Sequence, residues 1–173
     1  MRLRRATSSD IPELDELWHQ YIGALVRYRP TLEQDREATT NRFRRNWASR
    51  LGNERFESYV ATINDSIVAF ADVRLDASAL VPQLKGVVRE VAEFFVSPVH
   101  QDTGLAYDFA RALFDDRAGD YWLVFVLKDN APAHHFFNAL MSEVDWSVRQ
   151  VPHRERDMEG IYYVVDCRRL APS

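Results

Sequence analysis

Cysteine is almost absent from this chain of 173 residues, which contains Cys167 alone. A single cysteine excludes an intramolecular disulfide and a metal site built from several cysteines. We expect the Cys167 thiol to be a structural group within a strand. Long apolar runs are also missing, since none approaches the about 20 residues that span a bilayer, and the N-terminal MRLRRATSSD lacks the apolar core of a signal peptide. The sequence therefore predicts a cytoplasmic protein with no membrane partner.

The chain has no excess of positive charge and no histidine pattern typical of a metal site. The formal net charge is −4, whereas nucleic-acid binding requires a concentrated basic surface, so no nucleic-acid partner is predicted. Adjacent His134 and His135 would point about 100° apart on a helix, and no metal is predicted. Five arginines cluster, but large apolar residues interleave with them at helical spacing, which predicts the solvated face of an amphipathic helix. These are Arg42, Arg44, Arg45, Arg50 and Arg55.

The composition is that of an ordinary globular protein, with 46% hydrophobic and 28% charged residues, and we predict a single domain over residues 1–173. Apolar periodicity predicts the order β-α-α-β-β-β-α-β-α-β-β. Strands are predicted at residues 2–6, 56–63, 67–75, up to 96, 121–127, 144–151 and 161–167, with a charged loop at 153–159. Helices are predicted from the capping pair Asp10 and Glu13 to Pro30, over 32–50, after Gly104, and after the N-cap Asn130.

The most informative stretch is EVAEFFVSPVHQDTGLAYDFARALF, residues 90–114. An extended apolar segment ends at Val96, a short polar loop follows, and a helix carries Leu105 and Phe109 on one face. The start of such a helix presents backbone N–H groups and the positive end of the helix dipole, which suits a phosphate or pyrophosphate. The small residues Gly104 and Ala106 allow a ligand to approach that backbone closely.

The spacing Gln101-x-x-Gly104-x-Ala106 resembles the acyl-CoA pyrophosphate loop of the GNAT superfamily of N-acetyltransferases. Asn130, followed by Ala133 and Phe136, resembles that family's Asn-x-x-Ala-x-x-Phe segment, and the order of elements matches its fold throughout. The run EFFVSPVHQDTG is especially similar to a bacterial subgroup of acetyltransferases.

This resemblance implies an α/β (α+β) fold: a mixed, mostly antiparallel central sheet of about seven strands, with splayed fourth and fifth strands and about four flanking helices. It implies transfer of an acetyl (acyl) group from the co-substrate acetyl-CoA to an amine acceptor, a small molecule or a peptide, by direct attack in a ternary complex. The C-terminal strands of this fold often mediate dimers, so a homodimer is a further expectation.

The resemblance also implies the site residues. A base must deprotonate the acceptor amine, and the two candidates are Glu90 and Glu93, of which one is expected to act because a separation of three places them on opposite sheet faces unless a bulge intervenes. The backbone N–H of Val96 is the expected oxyanion donor. The implied cofactor-binding residues are Phe95, Val96, Gln101, Gly104, Leu105, Ala106, Asn130 and Phe137.

Two departures from the family pattern favour an alternative, a non-catalytic binding or regulatory module with a degraded CoA site. Phe137 occupies the position where many members carry a tyrosine that protonates the leaving thiolate. No Lys or Arg occurs between Arg89 and Arg111, and the loop itself carries Asp102. A carboxylate about 4 Å from a phosphate charge costs roughly 1 kcal/mol in bulk-like water and about 4 kcal/mol at an effective dielectric near 20. Lys128 is a candidate to offset that charge.

Overall fold

Strands and helices follow one another in nearly the predicted order. A computed structural model describes residues 1–34, 36–116, 120–143, 147–155 and 158–167. The strands are β1 (Arg2–Arg5), β2 (Phe56–Ile63), β3 (Ser66–Arg74), β4 (Val88–Val96), β5 (Tyr121–Leu127), β6 (Ser147–Glu155) and β7 (Met158–Asp166). The α-helices are α1 (Ile11–Leu25), α2 (Thr31–Gln34), α3 (Arg36–Arg50), α4 (Leu105–Asp115) and α5 (Ala131–Glu143).

The strands form one seven-stranded sheet in the order β1-β2-β3-β4-β5-β7-β6. β1 pairs antiparallel with β2, β7 pairs antiparallel with both β5 and β6, and β4 pairs parallel with β5. The register of β4 with β5 runs from Val88 opposite Tyr121 to Val91 opposite Val124, while β4 itself continues to Val96. The predicted mixed, mostly antiparallel sheet is therefore confirmed, with a β4–β5 register that covers only the first part of β4.

The first of two compact units comprises Met1–Val73 and Glu93–Phe109. Its core contains the apolar face of α1, which packs against strand residues such as Phe70 and Phe95. Burial of each large apolar side chain contributes about 1.5–3 kcal/mol. The buried residues of α1 are those that the helical spacing predicts: Leu14, Leu17, Trp18 and Ile22.

The start of α1 is fixed by an ion pair and not by the predicted capping pair. Arg4 donates through both terminal nitrogens to the two carboxylate oxygens of Asp10, each at 2.7 Å, and Asp10 also accepts the backbone N–H of Thr7 at 2.7 Å. Glu13 does not take part, because its carboxylate accepts the backbone N–H of Ile67 at 2.9 Å. The prediction of an Asp10–Glu13 capping pair is thus wrong, since each carboxylate has a different partner.

A second ion pair lies inside the same unit. The Asp72 side chain on β3 is fully buried, and it pairs with Arg50, the last residue of α3. The Ser58 hydroxyl donates to the other carboxylate oxygen of Asp72 at 2.7 Å. Arg50 had been predicted on a solvated helix face; its side chain is only 20% exposed, because the end of α3 meets a buried charge.

The second unit comprises Arg74–Ala92 and Ala110–Ser173. One apolar cluster joins Val88 of β4 with Leu123 of β5 and with Tyr162 and Val164 of β7. Ring contacts join α4 and α5 to the strands: Phe114 lies 5.1 Å from Trp122, and Phe137 lies 5.8 Å from Tyr163, between ring centroids.

Cys167 follows β7 directly and is fully buried. Burial raises the pKa of its thiol to about 12, so the thiol stays protonated, which supports its predicted structural role.

Several predicted boundaries differ from the structure. α1 ends at Leu25, before Pro30, and the predicted helix over 32–50 is represented by α2 and α3, while residue 35 between them lies outside the described residues. The predicted loop over 153–159 is wrong at 153–155 and 158–159, because β6 continues to Glu155 and β7 begins at Met158, with Arg154 opposite Glu159; residues 156–157 lie outside the described residues. Opposite charges across a strand pair stabilise it, so the charged residues that suggested a loop support a hairpin instead. Residues 144–146 of the predicted sixth strand lie outside the described residues.

Candidate active site

The predicted pyrophosphate loop connects β4 to α4 through a single 3₁₀ turn, Pro98–His100. Asp102 and Gly104 both adopt left-handed backbone conformations, with φ of 61° and 83°. Asp tolerates this region better than most residues, and Gly enters it without steric cost. No heavy atom among the described residues lies within 4 Å of a Cβ built on Gly104, so the backbone there is open to a ligand.

The Gln101 side chain stabilises this loop from within. Its amide nitrogen donates to the carbonyl oxygen of Val96 at 2.9 Å, which ties the loop to the end of β4. The backbone N–H of Ser97 donates to the carbonyl of Val68 at 2.9 Å, so the same strand end is also held to the chain near β3. One face of the strand end at Val96 is therefore occupied by the loop's own glutamine.

The start of α4 is capped by a hydroxyl. Thr103 donates to the carbonyl of His100 at 2.7 Å and accepts the backbone N–H of Leu105 at 3.4 Å. Asp102 and Asp108 are exposed. Lys128, the candidate to offset them, instead lies 3.5 Å from Glu159, at the end of the β5–β7 pairing. The loop thus offers backbone donors and carries two exposed carboxylates.

Glu93 lies in the first unit, against α1. The Tyr21 hydroxyl donates to its carboxylate at 2.7 Å, and the Tyr21 ring lies 5.5 Å from the Phe95 ring. Burial, reinforced by the charge of Glu93, raises the pKa of Tyr21 well above its ordinary value, so the phenol stays a donor at neutral pH. This hydrogen bond engages one oxygen of the Glu93 carboxylate.

Glu90 lies in the second unit, in a different environment. Its side chain is 9% exposed, with Arg74 at 3.2 Å from one oxygen and the Tyr162 hydroxyl at 3.4 Å from the other. The oxygen facing Arg74 has no partner of hydrogen-bond geometry among the described residues. Burial raises the pKa of this carboxyl, although Arg74, Tyr162 and His153 each act in the opposite direction. A carboxyl whose pKa is raised by burial is a stronger base than an ordinary carboxylate, which suits a general base.

An aromatic cluster covers the Tyr162 side of Glu90. The rings of Phe125, His153 and Tyr162 lie within 4.9–5.8 Å of one another, measured between centroids. Phe125 packs over Gly160, where a Cβ would approach its ring to 2.6 Å and would overlap the carbonyl oxygen of Val126. Only glycine therefore allows the ring to occupy this position.

Asn130 lies at the N-terminus of α5, and Phe137 lies within that helix. The Asn130 side chain accepts the backbone N–H of Ala133 at 3.2 Å, which confirms it as the N-cap. Phe137 is buried and packs on Tyr163, whose hydroxyl lies 2.9 Å from Nδ1 of His134. Since Nε2 of His134 lies 3.1 Å from the carbonyl of Leu127, which only accepts, Nδ1 accepts from Tyr163 when the imidazole is neutral.

The acetyltransferase (GNAT) family matches residues 14–141 of the chain. The chain belongs to this family. It is accordingly an acetyl-CoA-dependent N-acetyltransferase by class. No curated protein matches it. The narrower likeness to a bacterial subgroup with an EFFV strand stays a prediction.

Solved structures of the same fold share little sequence with the chain. A GNAT-family acetyltransferase from Streptococcus agalactiae has a TM-score of 0.73 and 15% identity, covering 95% of this chain and 94% of its own. The protein yncA from Salmonella typhimurium, solved with its cofactor acetyl-CoA, has a TM-score of 0.60 and 18% identity, and the match covers 97% of this chain and 94% of its own. The ribosomal-protein-S18-alanine N-acetyltransferase from Escherichia coli has a TM-score of 0.55 and 16% identity, and the match covers 95% of this chain and 90% of its own. At these identities the likeness shows the fold.

The structure groups the predicted site residues into two sets. Phe95, Val96 and the loop through Ala106 lie in the first unit with Glu93, while Glu90, Asn130 and Phe137 lie in the second. Sequence reasoning missed Tyr21 as a partner of Glu93, and it missed Arg74, Tyr162 and His153 around Glu90. The only available signal for Tyr162 was the alternation of side chains along β7, which places residues 162 and 164 on the same face of the sheet.

Among the described residues, no three His, Cys, Asp or Glu side chains are grouped so that they could hold a metal ion. Over the same ranges, no helix combines the length and apolar character needed to cross a bilayer.

Proposed function

We propose that the protein transfers an acetyl group from acetyl-CoA to the amine of an acceptor by direct attack in a ternary complex, with Glu90 as the general base. The observation that carries this mechanism is the buried Glu90 carboxylate, which holds a raised pKa and one oxygen without a hydrogen bond among the described residues. Glu93 is the weaker candidate, because the phenol of Tyr21 already donates to its carboxylate at 2.7 Å.

The proposed step removes two protons from the acceptor nitrogen and exchanges one bond for another. An alkylamine with a pKa near 10 is mostly protonated at neutral pH, so Glu90 accepts a proton from the acceptor ammonium. The freed amine attacks the thioester carbonyl carbon and the C–N bond forms. The nitrogen of the resulting adduct gives its second proton to water as the C–S bond breaks. The backbone N–H of Val96 is the proposed donor to the oxyanion. Phe137 has no proton to give, so the thiol, whose pKa is near 8.5, leaves as the thiolate and takes its proton from water.

The proposed acetyl-CoA site is built on the loop before α4. The open left-handed backbone at Gly104 and the first-turn amides near Leu105 and Ala106 suit the pyrophosphate. Gln101 contributes by holding Val96, and Phe95, Val96, Asn130 and Phe137 are the other proposed cofactor contacts. The helix dipole contributes about 0.3–1 kcal/mol toward an anion, which is similar in size to the cost of one solvated carboxylate nearby. Binding therefore depends on the backbone donors.

Calorimetric titration with acetyl-CoA tests the cofactor site. We expect the native protein to bind, and Gly104→Val to bind at least tenfold more weakly, because a β-branched residue is strained at a φ of 83°. Absence of binding by the native protein at millimolar acetyl-CoA would refute the proposal and favour the non-catalytic module.

Release of CoA with a panel of amines tests the base. Loss of a general base lowers the rate by about 10²–10⁴. We expect Glu90→Gln to lower kcat by this factor and to remove the acidic limb of the pH profile. Glu93→Gln should lower kcat by less. The reverse order would assign the base to Glu93.

Two further proposals concern assembly and location. Light scattering tests whether the protein is a homodimer, and fractionation of bacterial cells tests whether it is cytoplasmic.

A further inference from the structure

Arg74 and Glu90 form an ion pair that is poorly suited to a purely structural role. One guanidinium nitrogen of Arg74 lies 3.2 Å from one carboxylate oxygen, and the Arg74 side chain is 40% exposed. The Arg4–Asp10 pair of the same protein is a useful contrast, since two nitrogens meet two oxygens at 2.7 Å. The bidentate pair is the stronger arrangement, so the single contact at Glu90 leaves hydrogen-bonding capacity on both partners.

We propose that the acceptor is a small amine that carries its own carboxylate, as an α-amino acid does, and that it binds by exchanging partners with the Arg74–Glu90 pair. The acceptor ammonium takes the place of Arg74 at the Glu90 carboxylate, and the acceptor carboxylate pairs with the Arg74 guanidinium. This inference rests on the proposed function, because it assigns Glu90 the role of base.

Charge balance supports this exchange. Glu90 is buried and Arg74 lies beside it, so an acceptor with only an ammonium would compete with Arg74 and leave the guanidinium without its partner. The buried carboxylate of Glu90 needs a cation beside it, and an exchange keeps one there, while the acceptor carboxylate gives the more exposed Arg74 guanidinium a new partner. A zwitterion supplies both charges at the spacing of a few ångströms that the pair itself has. The half-exposed Arg74 side chain can turn outward to present its planar fork to a carboxylate.

The surroundings of the pair match a small acceptor. The Tyr162 hydroxyl fixes one Glu90 oxygen at 3.4 Å, which leaves the other directed toward Arg74. The rings of His153 and Tyr162, 4.9 Å apart, provide an apolar surface next to the carboxylate. Such a surface suits the Cα and a short side chain. Tyr162 and His153 are therefore positioning residues in this proposal.

The experiment compares each α-amino acid with its carboxamide as acceptors of acetyl-CoA, measured by release of CoA thiol. Alanine and alaninamide are the reference pair. We expect at least one amino acid to have a KM tenfold or more below that of its amide. Arg74→Gln should raise the KM for that amino acid by tenfold or more but should not raise the KM for the amide, which no longer competes with Arg74 for Glu90, and Arg74→Lys should restore part of the difference.

Arg111→Gln is the matched control, since Arg111 forms only an exposed pair with Asp115 at 3.8 Å on α4; it should change neither KM. Equal KM values for all amino acids and their amides, no turnover of any amino acid, or an equal effect of Arg74→Gln on both acceptor types would each overturn this inference. Failure of the proposed function is distinct, because it appears as absence of acetyl-CoA binding in calorimetry without any acceptor.

Discussion

Replacement of Arg50 by methionine is expected to cost about 3–5 kcal/mol of folding free energy. The Asp72 carboxylate is fully buried, and its polar partners include Arg50 and the Ser58 hydroxyl. Removing one member of a buried ion pair leaves an uncompensated charge, which accounts for this magnitude. The change also removes the guanidinium that lies 4.9 Å over the Phe56 ring. Against a total stability of about 5–15 kcal/mol, the loss is a large fraction.

Urea unfolding followed by circular dichroism measures this loss. The double variant Arg50→Met/Asp72→Asn removes both charges while Ser58 keeps an oxygen to donate to, so we expect it to be about 2 kcal/mol more stable than Arg50→Met alone. Arg111→Met is the matched control, and loss of its exposed ion pair should cost less than about 1 kcal/mol. A cost below about 1 kcal/mol for Arg50→Met, or a double variant less stable than the single one, would refute the reasoning.

Two further predictions concern stability. The Arg4 hydrogen bonds lower the pKa of Asp10 from 3.8 to about 2, which should contribute up to about 2 kcal/mol of folding stability. This contribution is present above pH 3.8 and is lost as the pH falls from 3.8 to 2. Asp10→Asn should lack it at about pH 6, and a urea midpoint with the same pH dependence as that of the native protein would contradict the assignment. Gly160→Ala should cost about 1–3 kcal/mol because its Cβ overlaps the Phe125 ring and a carbonyl, whereas Gly52→Ala should be nearly neutral, because no neighbour in the described part of the chain lies within 4 Å of its Cβ; equal effects in thermal unfolding would show that the strand relaxes.

The fold was largely predictable because it depends on periodicity, which is local in the sequence. β2 and β5 were predicted at their observed bounds, and the buried stripe of α1 follows its helical spacing. The predictions failed where a charge is decided by a distant partner. The charged residues near 153–159 were assigned to a loop, yet Arg154 lies opposite Glu159 within a hairpin. Arg50 was assigned to solvent, yet Asp72 on β3 lies at its guanidinium.

The two glutamates of β4 show the same limit at the candidate site. In the sequence Glu90 and Glu93 are three residues apart and equally suited to act as a base. Each contacts a tyrosine 72 residues away, and the two tyrosines lie at different distances. The Tyr21 phenol donates to the Glu93 carboxylate at 2.7 Å. Burial raises the pKa of Glu90, and Arg74 opposes that rise more than the Tyr162 phenol at 3.4 Å does. Because the difference comes from β7 and α1, two elements remote in the sequence, the base is identified by the folded contacts and not by its motif.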